Sequence, residues 1–172
     1  NIVNSDLRDP KIYVLHDKSL MLTAYARMKQ RDDNGNERTI SQNTYWHGTH
    51  SNSVDGINWQ HQGFFAEPFH WCWRLSWHKQ HVYSLAYERK TESLYLYHGA
   101  NLSEFSAFKS PVLSKAEQGV GYPNESDLCF IHKNSHTQAI AIVRRDADTF
   151  ITKLGKSVAP FEMWHWHDLP IY

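Results

Sequence analysis

Cysteine, surplus charge of one sign and long apolar runs are all scarce in this sequence. Only Cys72 and Cys129 occur among 172 residues. They stand in no metal-ligand spacing and read as buried free thiols of a reducing compartment, with a disulfide as the alternative. Lys plus Arg and Asp plus Glu both number 18, so no basic footprint points to nucleic acid or an anionic membrane. The longest apolar runs, such as "AIAIV" (139–143), have the length of a strand rather than a membrane span. No stretch carries a sustained helical period. Also missing are a Ser/His/Asp order, a Gly-rich phosphate loop and a Cys/His pair. No signal peptide is visible; because the chain begins with Asn, localisation stays open between a cytoplasmic and a secreted protein.

Aromatic residues are plentiful at 14%, which suits sheets packed face to face. Histidine is also abundant, with close pairs at His47/His50, His78/His81 and His165/His167. A zinc site needs three or four converging ligands, and no third His or carboxylate joins any pair at typical spacing, so neither metal nor cofactor is expected.

The strongest pattern is repetition. The segments "DPKIYVLHDKSLMLTAYAR" (9–27), "CWRLSWHKQHVYSLAYER" (72–89) and "PNESDLCFIHKNSHTQAIAIVRR" (123–145) share one plan. Each has a polar entry, a short alternating strand ending in His16, His78 or His132, a polar turn, and an apolar strand ending in Arg27, Arg89 or Arg144-Arg145. A second hairpin follows each: "NTYWHGTH" to "WQHQGFF", "SLYLYHGA" to "FSAFKSPVL", and "TFITKLGKS" to "MWHWHDL". Phe105 and Trp166 sit near the position of Trp59. Four antiparallel strands in each of three units predict an all-β chain of three β-propeller blades, at about 9–66, 70–114 and 122–170. Propellers close with roughly four to eight blades. Three blades are therefore expected to meet a second copy, in a homodimer, or the missing other half of a longer protein.

The turn before Trp59, "SVDGINW" (53–59), resembles the Asp-box of bacterial neuraminidases, whose pattern is Ser-x-Asp-x-Gly-x-x-Trp with shortened variants. "GYPNESDLCF", "AIAIVRRD" and "WHWHDL" are similar to segments of sialidase-like glycoside hydrolases, which are six-bladed propellers. The resemblance implies that Asp55 and Trp59 staple a blade hairpin away from the active face. It also implies a carbohydrate ligand at the propeller axis, a terminal sugar cleaved there, and neither nucleic-acid nor membrane partners.

In a propeller the first strand of each blade starts at the pocket face. The segments aimed there are Arg8-Asp9-Pro10, Trp71 to Arg74, and Pro123-Asn124-Glu125, joined by the strand ends at Arg27, Glu88-Arg89 and Arg144-Arg145. The segment 28–41, rich in Gly, Asn and charge, reads as a surface loop on the same face. In sialidases arginines clamp a carboxylate, a Tyr activated by a Glu is the nucleophile, and an Asp is the acid/base. By position the resemblance gives Arg8 and Arg74 as clamp candidates, Glu125 as the acidic partner and Asp9 or Asp33 as the acid/base; it assigns no Tyr as the nucleophile, with Tyr122 and Tyr25 nearby. Asn124 and Arg144 join the substrate-binding set. Trp73, just before Arg74, is a candidate platform for a sugar ring. An ion pair of Arg8 and Asp9 tying neighbouring blades is the structural alternative. The alternative function is a propeller that binds glycan or protein without chemistry.

Overall fold

A computed structural model describes residues 5–48, 56–133, 136–149 and 151–170. It is built of strands in three antiparallel sheets, none of them closed. Helix is confined, among the described residues, to a 3-10 turn at Leu102–Glu104 and a single α turn, α1 (Lys115–Gln118). The all-β class holds. The chain divides into two compact units, residues 1–71 and 72–172.

In the first unit, β1 (Ser5–Val14), β2 (Leu20–Arg31), β3 (Glu37–Gly48) and β4 (Gln60–Phe65) pair in chain order. The β1–β2 turn is closed by Asp17, whose carboxylate accepts the Ser19 backbone N–H at 2.9 Å and its hydroxyl at 2.6 Å. His16 therefore lies in the turn, not at a strand end. Met21, Ala24, Tyr25, Ala26 and Phe65 are buried, Tyr25 on one face of β2 and Ala24 and Ala26 on the other. Tyr25 stacks flat on Trp71, with centroids 3.9 Å apart, and donates to Gln42 Oε1 at 3.0 Å.

Segment 28–41 is not a loop. Both strands continue through it, leaving only residues 32–36 as a turn. Asp32 accepts the N–H groups of Asn34 and Asn36, and Gly35 takes φ +81°. Cross-strand pairs of Glu37 with Lys29 and Arg31 support a ladder whose composition alone reads as loop.

β5 (His70–His78) opens the second sheet, ordered β5, β6 (His81–Glu88), β7 (Ser93–Gly99), β8 (Ser106–Ala107), with β9 (Leu113–Ser114) also on β7. The third sheet orders β10 (Tyr122–Lys133), β11 (His136–Asp146), β12 (Thr152–Val158) and β13 (His165–Leu169). Strand alternation gives this sheet two unlike faces. Leu128, Ala139, Ala141 and Val143 are buried, and β10 packs along β6 and β7 of the second sheet. Ile131 and Ile142 lie on the opposite, exposed face. Phe130 points inward, into a knot with His78, Tyr83 and Phe161. Cys72 is buried, whereas Cys129 is exposed on β10; both are free thiols.

The hairpin turns closing the sheets share a local construction. Trp59 donates its indole N–H to Gly56 O at 2.8 Å, with Gly56 at φ +66°. Before β13, Trp164 donates to Phe161 O at 3.0 Å, with Phe161 at φ +69°. Trp164, not Trp166, is thus the counterpart of Trp59. Trp166 stacks on Trp164 and donates to Val112 O at 2.6 Å. Before β8, Asn101 Oδ1 accepts the N–H groups of Ser103 and Glu104, and Phe105 follows four residues on. Ser53 and Asp55 lie outside the described residues.

Candidate functional site

Two first strands carry a bulge at the same place. On β1 the register steps from Arg8↔Tyr25 to Lys11↔Thr23, so Asp9 and Pro10 share one opposite residue. On β10 it steps from Pro123↔Arg145 to Ser126↔Val143, leaving Asn124 and Glu125 in the same situation. An extra residue turns side chains out of the regular alternation, which is how bulges re-aim groups beside binding sites. Asp9 takes φ +50° there, a left-handed conformation that Asp tolerates better than most residues. Asp9, Asn124 and Glu125, read from sequence as site residues, all fall on these bulges.

Arg8 and Asp9 belong to the first unit; Trp73, Arg74, Asn124, Glu125 and Arg144 belong to the second. In the first, Arg8 pairs with Asp6 at 2.8 Å, and the Asp9 carbonyl accepts from Lys11 at 3.1 Å. The carboxylate that Arg8 holds is thus that of Asp6, not Asp9. Hydrogen bonding to Arg8 pulls the Asp6 carboxyl below its usual range. Tyr25 is almost wholly buried under Trp71 with its hydroxyl engaged by Gln42, which removes it as a nucleophile. Asp33 is exposed in the turn between β2 and β3.

In the second unit Asn124, Glu125 and Arg144 meet. Arg144 Nη1 donates to Glu125 Oε2 at 2.6 Å, and its Nη2 lies 2.5 Å from Asp146 Oδ1. Asn124 Nδ2 donates to the other oxygen of Asp146. The hydrogen bond that Arg144 donates to Glu125 raises the Arg144 pKa, opposed by desolvation and reinforced by the charges of Glu125 and Asp146. Arg144 is half-exposed, so the fork presents to solvent.

Two tyrosines border the cluster. Tyr122 opens β10, and Tyr87 lies near the end of β6, with ring centroids 6.5 Å apart and planes within 19°. Burial raises the Tyr87 pKa most, with Tyr122, Glu125 and Asp146 adding to it and Arg89 opposing. Trp73 is not an open sugar platform: it is 9% exposed and stacks on Tyr87 at 6.2 Å, backing that ring. Arg74 is exposed and pairs with Asp127 at 3.5 Å, not with Glu125.

Arg145 faces the other way and is structural. Only 2% exposed, it donates to Ile151 O, Val120 O and Asp168 Oδ1 at 2.7, 3.2 and 3.0 Å. Sequence reading missed Asp146, Asp127 and Tyr87. Asp146 was available from the alternation of Arg144, Arg145 and Asp146 once the strand is paired; Asp127 lies on β10 itself, and Tyr87 comes from the neighbouring second sheet. Among the described residues no three His, Cys, Asp or Glu side chains gather as a metal site requires.

No family model and no curated protein matches the chain. Among solved structures the chain is similar to a crystal structure of a protein of unknown function from Dyadobacter fermentans, at 16% identity and a TM-score of 0.66. The match takes in 96% of this chain and 51% of that one. The chain therefore spans about half the length of the structure it matches, and the likeness is one of fold.

Proposed function

We propose that the three sheets are blades of a sialidase-like propeller, and that the cluster of Asn124, Glu125, Arg144 and Asp146 is part of a site for a terminal sugar of a glycan. One observation carries this reading. A bulge presents an amide and a carboxylate beside a half-exposed arginine and a partly exposed tyrosine, Tyr122. Retaining glycoside chemistry needs a nucleophile, a base to activate it and an acid for the leaving group; in sialidases the nucleophile is a Tyr. Tyr122 fills the first role and Glu125 the second. Arg144, Asn124 and Arg74 supply donors for hydroxyl or carboxylate oxygens of the sugar.

The shared turn construction at Trp59 and Trp164 supports the kinship with Asp-box propellers. Exposed Ile12, Val14, Ile131 and Ile142 support sheet faces covered by further blades, from a second copy or another half. A second reading, glycan binding without chemistry, is favoured by one fact: Arg144 engages both Glu125 and Asp146, leaving neither carboxylate without a cation.

Turnover of a panel of aryl glycosides, beside calorimetric binding of the matching sugars, separates the two. Hydrolysis that falls by roughly three orders of magnitude in Tyr122→Phe, with sugar binding retained, supports the hydrolase. Binding lost in Arg144→Ala, with no turnover by the wild type on any substrate, supports the binding module. Wild-type binding in Arg144→Ala and Asn124→Ala would refute the site itself.

A further inference from the structure

On β2, alternation places Tyr25, Arg27, Lys29 and Arg31 along one face, with Asp6 opposite Arg27, Arg8 opposite Tyr25, and Glu37 opposite Arg31. This face runs out along the β2–β3 arm, beside a concavity of about 590 Å³ lined by Ser5, Asp6, Lys29, Gln30, Arg31 and Glu37. Cations outnumber carboxylates on it, and the carboxylates are shared. Asp6 contacts Arg8 at 2.8 Å and Arg27 at 4.0 Å; Glu37 contacts Lys29 at 3.1 Å and Arg31 at 3.7 Å. Four cationic side chains thus divide two carboxylates. Guanidinium offers five N–H donors, so much of this donor capacity is unspent. Arg27 makes the point at one atom: its Nε is buried and has no acceptor among the described residues.

Alternate residues on a strand stand roughly 7 Å apart. Arg27, Lys29 and Arg31 therefore form a ladder of about 14 Å, longer than one small anion and matched to a chain bearing repeated negative groups. From this geometry we infer that the arm binds an acidic oligosaccharide, one carrying uronate or sulfate groups, through charge-assisted hydrogen bonds from the ladder. The inference rests on the reading of the protein as one that handles glycans. It narrows that reading to a substrate class. A nucleic acid fits less well, because the molecule has no net positive charge to supply the long-range attraction on which such binding depends.

The test is calorimetric binding of three oligosaccharides of equal length, one of galacturonate, one heparin-derived and one neutral glucan, with a short single-stranded DNA as comparison. The first two distinguish carboxylate from sulfate. At low salt the wild type should bind one or both acidic sugars, at least tenfold tighter than the neutral one. That preference should collapse as the Debye length shortens in 0.3 M salt. Arg27→Gln, Lys29→Gln and Arg31→Gln should each weaken acidic binding roughly tenfold, the scale of one charge-assisted bond. Lys29 and Arg31 are surface side chains, so these variants should melt within a few degrees of the wild type. Wild-type affinity in the Lys29→Gln/Arg31→Gln double variant overturns the inference, as does equal affinity for the neutral sugar. DNA binding at or above the acidic-sugar affinity also overturns it, in favour of a general polyanion surface. Glu125→Gln separates the two layers: lost turnover with intact acidic binding upholds both. Lost ladder dependence with intact turnover sinks only the ladder.

Discussion

Replacing Arg145 by alanine should cost about 3–5 kcal/mol, while the same change at its neighbour Arg144 should cost less than about 1 kcal/mol. Arg145 is buried and gives three donors: to the carbonyls of Ile151 and Val120, and to Asp168. The site is closed over by Gly121, held at φ +65°, where a Cβ would collide with Thr149 and crowd Arg145. Water has little room to replace the guanidinium. Each bond from a charged donor is worth roughly 1.5–3 kcal/mol, and the two backbone carbonyls would be left unsatisfied. Asp168 keeps Lys153 at 2.9 Å, so its share of the loss is small. At roughly 2–4 °C per kcal/mol for a chain of this size, Arg145→Ala should melt about 6–20 °C lower. Arg144 is half-exposed, and solvent screens its pairs to about 0–1 kcal/mol. Its removal should move the midpoint by no more than about 3 °C. Circular dichroism melts of both variants decide the matter, with Arg145→Lys expected to fall between wild type and alanine. If Arg145→Ala melts with the wild type, or Arg144→Ala melts as low as Arg145→Ala was expected to, the assignment of clamp and site to these two residues is wrong.

Three further outcomes are expected. Burial, and then the charges of His132, Lys79 and His81, depress the pKa of His78 below 6.5. The unfolded chain therefore binds the extra proton first, and the stability contributed by neutral His78 is complete above about pH 6.5 and is lost as pH falls towards the folded pKa. Melting midpoints from pH 8 to 5 should decline, less steeply in His78→Phe; an unchanged slope would remove His78 as a source of the effect. Gly155 lies under the Trp166 ring, which a Cβ would strike. Gly155→Ala should therefore cost about 1–3 kcal/mol through overpacking, and a neutral melt would contradict the packing of β12 on β13. For the proposed ring, sedimentation at micromolar concentration should give a dimer; a soluble monomer that binds no apolar dye would contradict the proposal that further blades cover the exposed faces.

The sheets were legible because the apolar–polar period of two and the turn residues agree over most strands. Properties that belong to strand pairs were not. The bulges at Asp9 and Glu125 exist only in the register between two strands, and neither segment marks them. The alternating "WHWH" offers two tryptophans two residues apart, and only the left-handed turn at Phe161 decides that Trp164 matches Trp59. The arm was hidden by its composition, since Asp, Asn, Gly and Arg read as loop until the Glu37 ion pairs are seen. Arg144 and Arg145 looked equivalent in sequence, and one step of a strand separates a solvent-facing fork from a buried clamp.

The central claim, that Tyr122 and Glu125 form the working part of a sugar-cleaving site, is tested most directly by trapping. A fluorinated glycosyl fluoride of whichever sugar the protein cleaves slows breakdown of a glycosyl–enzyme intermediate, and peptide mass mapping then locates the bond. One sugar adduct per chain on the peptide containing Tyr122, absent from Tyr122→Phe and formed more slowly in Glu125→Gln, is the expected result. An unlabelled chain, or a sugar bound at a residue other than Tyr122, would contradict it.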